Sequence, residues 1–299
     1  MEETKFIWMD GNLVPWKEAK IHVLTHSLHY GSAVFEGIRF YETVDRRSAV
    51  FRLKEHVERL FNSAKAFNMQ IPFSQEEICK AILETIKANE IKAGYIRPIA
   101  FFGYGKMGLG LKGAPVNVSI AVWPWGAYLG EKPVRVKTSG YIRIHPKSSI
   151  MEAKISGHYE NSILASEEIH AKGYDEALLL DFKRNIAEGP GENIFIVKNN
   201  ILITPKLGTI LPGITRDSVI RIAKDEGLKV KEKILKLEEA YEADEAFYTG
   251  TAAEVTPIES IDDKKLKGAP GPVTTKLRSL YLDIVQGKNK KYESWLSYV

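Results

Sequence analysis

Four short stretches hold residues that could do chemistry together. In AKISGHYENS, residues 153–162, a single lysine, Lys154, precedes a small-residue turn and a tyrosine, Tyr159. Alone, Lys154 is one of 42 basic residues and reads as a solvated charge, because most lysines are exposed. In AEGPGENIF, Glu188 stands before a Gly-Pro-Gly turn and an apolar strand. LPGITRD (211–217) leads a Pro-Gly turn into a helix start. Its unpaired backbone N–H groups and positive dipole end can receive a phosphate, although many helices open this way and bind nothing. TGTAAE (249–254) brings small residues to a second turn, where backbone amides can approach an anion.

An amine, a carboxylate and two anion-receiving turns are the parts needed to hold pyridoxal phosphate. The amine forms a Schiff base, the carboxylate keeps the ring nitrogen protonated, and the turns take the phosphate. Two other patterns point elsewhere. Gly103, Gly105 and Gly108 in GYGKMG match a dinucleotide fingerprint after a strand, but a Gly- and Pro-broken loop and another strand follow where a helix is required. His22, His26 and His29, at i, i+4 and i+7, could face one metal from a helix. No nearby carboxylate supports them and HYGSAVFEG continues as loop and strand, so no metal site is expected.

The elements that must position these residues fall into two halves, an α+β arrangement. FIWMDGNLVPW predicts a hairpin turning at Asp10-Gly11, and SAVFRL a strand. Val57, Leu60, Phe61, Ala64 and Phe67 recur at helical spacing over 54–67. SQEE at 74–77 is a capping box opening a helix with Ile78, Ala81, Ile82 and Ile86 inward, followed by the strands GYIRPIAFF and VNVSIAVW. The pattern relaxes over 125–133, which predicts a linker between a smaller domain, 1–124, and a larger one, 134–299. Beyond it come a helix at 159–172, the strand EALLLD, a hairpin turning at Asn199-Asn200, and a helix over 216–226 stopped by Gly227.

Composition narrows the partners. With 42 basic and 38 acidic residues the formal charge is +4, and the positive residues are scattered, so no nucleic-acid partner is expected. The lone Cys79 allows no intramolecular disulfide, and no apolar run approaches the ~20 residues of a membrane helix. The start lacks a secretory pattern, so a cytoplasmic location is expected.

HYGSAVFEGIR, EHVERL, YIRP, WPWGAYLG, KISGHYENSILA, EGPGENIF, LPGITRD and TGTAAEVTP, in this order over about residues 6–275, resemble the branched-chain amino acid aminotransferases of the fold-type IV pyridoxal phosphate enzymes. The resemblance implies two α+β domains with the cofactor in the cleft between them. It implies that Lys154 is the Schiff-base lysine, Glu188 the partner of the pyridine nitrogen, and Tyr159 the tyrosine beside the ring's phenolic oxygen. Arg59 matches the phosphate arginine, helped by the turns holding Leu211, Gly213, Ile214 and Thr215 and by Gly250 and Thr251. Helical periodicity alone would leave Arg59 a solvated charge off the apolar stripe; the resemblance reverses that reading.

Such an enzyme accepts branched-chain L-amino acids (Leu, Ile, Val) and the diacid 2-oxoglutarate in one pocket, which needs a wall able to meet a second carboxylate. Tyr95 and Arg97 share a strand face by the two-residue period. By resemblance Tyr95 joins the amides of Thr251 and Ala252 on the α-carboxylate, and Arg97 meets the distal one. Phe35, Trp125 and Tyr128 match the aromatic lining, while Tyr30 and Leu109 match residues reaching in from a neighbouring subunit of a homo-oligomer, a dimer at least and often a hexamer. Aromatics in such numbers also suit plain core. D-amino acid aminotransferases and aminodeoxychorismate lyase share the lysine and the glutamate, so the choice of reaction rests on YIRP, PWGAY and TGTAAE.

Overall fold

Strands and helices share the chain, whose structure, a computed structural model, describes residues 2–126, 129, 130 and 132–299. It divides into two units. The first comprises residues up to Gly126 together with Ala153–His158 and Ile284–Val299; the second holds the remainder. The expected division at 125–133 makes each half one continuous stretch, whereas here two later segments count with the first unit.

In the first unit an eight-stranded sheet runs in the order Leu296–Tyr298, Ser48–Phe51, Ile38–Glu42, Gly94–Phe102, Val116–Trp123, Phe6–Met9, Asn12–Pro15, with Ala33–Phe35 also paired to Gly94–Phe102. The first hairpin turns at Asp10 (φ 46°) and Gly11 (φ 98°), as the Asp-Gly pair predicts. Ser74 and Glu77 form the capping box reciprocally, and the helix Gln75–Asn89 follows. The other predicted helix runs Leu53–Ala64 and tightens into a 3₁₀ turn at Lys65–Phe67. Val57, Leu60, Ile78, Ile82 and Ile86 share one core with Ile96, Val118 and Ile120 of the sheet. Each such side chain contributes about 1.5–3 kcal/mol by leaving water.

Ala153 and Ile155 belong to that core, and Val34 bridges to Ile155. Burying both neighbours draws the segment into the first unit, while Lys154 between them is only partly buried.

The second unit holds a nine-stranded sheet, in the order Ile186–Glu188, Glu176–Leu180, Val134–Ile142, Glu254–Ile261, Glu245–Gly250, Asn193–Lys198, Ile201–Pro205, Lys229–Lys233, with Lys264–Lys265 paired to Glu254–Ile261. Parallel pairs need crossover connections. The helix Tyr159–Ala171 lies between the parallel strands Val134–Ile142 and Glu176–Leu180, and Ile214–Asp225 between Ile201–Pro205 and Lys229–Lys233. The Asn199-Asn200 turn has both residues at positive φ, 49° and 59°. The helix predicted over 216–226 starts two residues earlier, because Gly213 takes the extended N-cap conformation (φ −68°, ψ 133°). No helix among the described residues is long and apolar enough to cross a membrane.

Candidate active site

Lys154 is fixed through its backbone. Its carbonyl accepts from Phe35 N at 3.1 Å and its N–H donates to Ser63 Oγ at 2.9 Å. Its Nζ lies 4.9 Å from the centre of the Phe35 ring. Arg97 approaches the same ring, its Cζ 4.7 Å from the centroid, and sits 5.3 Å from that of Tyr95. Phe35, Tyr95, Arg97 and Lys154 therefore gather around one aromatic floor. Trp125 joins them edge-on to Tyr95, with ring centroids 4.5 Å apart, and Arg39 Nη2 holds the main chain there through Trp125 O and Gly126 O at 2.7 and 2.9 Å. Tyr95 occupies a notch left by Gly37. A Cβ at position 37 would lie 1.8 Å from the Tyr95 hydroxyl, so any larger residue there must displace the tyrosine.

Arg97 Nε is buried and has no hydrogen-bond partner among the described residues. Leaving such a donor unmet costs about 1–3 kcal/mol, more when charged, a cost that an anionic ligand could relieve.

Arg59 is not the solvated charge that helical periodicity suggests, since its side chain is only 12% exposed. The helix Leu53–Ala64 has two buried stripes. Leu53, Val57, Leu60 and Ala64 face the core, while His56 and Ser63 are buried beside Arg59. Nε and Nη2 of Arg59 donate to Oε1 and Oε2 of Glu36 at 2.6 and 2.8 Å. Burial pushes the Glu36 carboxyl up, but the Arg59 charge and hydrogen bonds, with His56, outweigh it and hold the group at about 2.

In the second unit Glu188 is buried at the end of its strand. It accepts from Arg143 Nε at 2.6 Å, Asn193 Nδ2 at 3.0 Å and Leu211 N at 3.1 Å. The Gly-Pro-Gly turn beyond is closed by Gly189 N donating to Glu192 O at 2.7 Å, and Ser162 Oγ ties the helix opened by Tyr159 to Pro190 O at 2.7 Å. Gly213 also presses against this group, because a Cβ there would lie 2.0 Å from Asn193 Oδ1. The first turn of Ile214–Asp225 has no side-chain cap on its N-cap residue, so the amides of Ile214 and Thr215 stand at an uncapped helix start. Gly250 ends its strand opposite Glu254, with Thr251 and Ala252 in the turn between.

Within each unit the predicted residues thus form local groups, Phe35, Tyr95, Arg97, Trp125 and Lys154 in one, Glu188, Leu211 and Gly213 in the other. Tyr30 and Leu109 are instead exposed, 44% and 86%. Tyr128 lies outside the described residues. Glu36, His56, Ser63, Arg143 and Asn193 were not identified from the sequence; the i, i+3, i+7 spacing of His56, Arg59 and Ser63 was the available signal. The fingerprint glycines sit in a loop with Gly105 and Gly108 at positive φ, and no helix follows. The three histidines bond within the first unit, His26 to Ser32 Oγ and to the distant Gly108 O, His29 to Val23 O, and His22 to Leu24 N.

The family model for amino-transferase class IV matches residues 33–261. A branched-chain-amino-acid aminotransferase of Pseudomonas aeruginosa is 47% identical over 298 residues, 98% of this chain and 97% of that one. One of Escherichia coli is 40% identical, over 100% and 98%. The branched-chain aminotransferase of the thermophilic archaeon Thermoproteus uzoniensis, solved with norvaline, superposes with a TM-score of 0.96 at 45% identity over 99% of both chains. The T.th. branched-chain amino acid aminotransferase, solved as a complex with N-(5'-phosphopyridoxyl)-L-glutamate, superposes with a TM-score of 0.96 at 47% identity over 100% of this chain and 99% of that one. With a family model spanning most of its length and full-length relatives of the same fold, the chain belongs to the class IV aminotransferases and has the α+β architecture of fold-type IV.

Proposed function

We propose that this chain is a pyridoxal 5'-phosphate-dependent branched-chain-amino-acid transaminase that moves the amino group of leucine, isoleucine or valine to 2-oxoglutarate, releasing the branched 2-oxo acid and L-glutamate. The observation that carries it is the Phe35 floor. An amine and a half-buried guanidinium with a buried, unmet Nε share one aromatic surface, so an apolar side chain and a second carboxylate can each be accommodated there. Its relatives' substrates and the glutamate adduct of one of them support the same pair.

The donor set fits the cofactor: a lysine amine, a buried carboxylate, an arginine and an uncapped helix start. When bound, pyridoxal phosphate supplies an electron sink for the substrate's α-carbon. Lys154 would hold it through its amine and would move the proton at the substrate's α-carbon as general base. Glu188, kept in place by Arg143, Asn193 and Leu211, holds the proton on the ring nitrogen. Tyr159 sets the phenolic oxygen. Arg59, the amides of Ile214 and Thr215, and Thr251 bind the phosphate, with Leu211, Gly213 and Gly250 shaping those turns.

Tyr95 with the amides of Thr251 and Ala252 takes the substrate α-carboxylate, and Arg97 takes the distal one of 2-oxoglutarate. Phe35, Trp125 and Tyr128 line the side-chain space. The exposure of Tyr30 and Leu109 supports their covering the site of a second copy in a homo-oligomer. A cytoplasmic location suits this metabolism.

Purified protein supplied with pyridoxal phosphate should convert L-leucine and 2-oxoglutarate to 4-methyl-2-oxopentanoate and glutamate, with D-alanine and aminodeoxychorismate turned over far more slowly. Preference for either of the latter would reassign the reaction within the fold.

A further inference from the structure

We infer that Glu36, braced by His56, is a positioning residue that presents Arg59 to the cofactor phosphate. The inference rests on the function proposed above and adds to it a residue pair that acts through Arg59.

A guanidinium has five N–H donors in a fixed plane. Glu36 takes the Nε and Nη2 edge of Arg59 in a two-bond fork, so a second anion would be met from the outer Nη1–Nη2 edge, and the fork leaves little rotation about the side chain. Glu36 is itself immobile. It is 0% exposed, its N–H donates to Pro98 O at 2.9 Å, and its Oε2 receives His56 Nδ1 at 2.7 Å. His56 is also buried, and burial, opposed by Glu36, lowers its pKa, so it donates as a neutral imidazole and leaves the charge balance of the pair intact.

Replacing a buried ion pair by apolar residues is often neutral or stabilising, so stability is a weak reason for this one. Orientation is a better one. The same helix that carries His56 and Arg59 holds the Lys154 backbone through Ser63, and Phe35, which bonds Lys154 O, directly precedes Glu36. The phosphate arginine and the cofactor's lysine are thereby fixed to the same two segments.

The test is equilibrium dialysis of the full chain against pyridoxal 5'-phosphate and, separately, against pyridoxal, which lacks the phosphate. Wild type should prefer the phosphorylated form. Glu36→Gln should shrink that preference about tenfold or more, the loss expected when one charge-assisted contact is misaligned, with pyridoxal binding little changed. His56→Leu should shrink it in the same direction, and His56→Asn, which can keep the donor, should restore it. This pair decides the matter if Glu36→Gln does not fold. A wild-type preference that persists in Glu36→Gln, or in His56→Leu, overturns the inference alone, as does an equal loss for both ligands. A wild-type chain that binds neither ligand overturns the proposed function and the inference with it.

Discussion

Lys154→Ala is expected to fold, to retain pyridoxal phosphate and to lose transamination by about a thousandfold or more. The fold survives because the segment is held by Ala153 and Ile155 in the core and by backbone bonds to Phe35 and Ser63, none of which uses the lysine side chain. The cofactor is expected to stay because the proposed phosphate contacts, Arg59 and the helix start, do not involve the amine. What disappears is both the covalent link and the base that moves the α-proton, and loss of a positioned general base alone removes roughly 10²- to 10⁴-fold. Steady-state rates with leucine, beside the absorbance of bound cofactor, check both parts. Near-native turnover would remove the assignment.

Arg97→Ala is expected to reduce kcat/KM for 2-oxoglutarate roughly 10- to 100-fold more than for leucine, the value of a charge-assisted contact that only the diacid makes. The geometry supports the asymmetry. Arg97 lies over the Phe35 ring with its Nε buried and unmet, while its contact with the Tyr95 hydroxyl, at 3.4 Å, is weak. An aliphatic side chain asks nothing of that guanidinium, whereas a carboxylate buried without it is unpaired. Half-reactions measured separately for the two substrates separate these effects. Equal losses would show that Arg97 maintains the pocket without choosing its occupant.

Much of the frame was legible because its signals are local. The Asp10-Gly11 and Asn199-Asn200 turns and the Ser74–Glu77 box each place their whole chemistry within four residues, and the structure forms all three. The terminal strand Leu296–Tyr298 was missed because its partner, Ser48–Phe51, lies at the other end of the chain. Arg59 shows the same limit at the site. Its spacing puts it off the apolar stripe, and Glu36, 23 positions away, pairs with it where it is buried. Arg143 is a second case, since its partner Glu188 is 45 residues on. Residue types and turns told what chemistry was available, but the groups that orient those residues arrive through tertiary contacts that no local pattern encodes.

The central claim is that the Lys154 amine bonds the cofactor. Borohydride reduction of the protein carrying pyridoxal phosphate, followed by proteolysis and peptide mapping, tests it most directly. The pyridoxyl label is expected on the peptide containing Lys154 and should be absent from Lys154→Ala. A label on any other lysine, or none at all, would contradict the account.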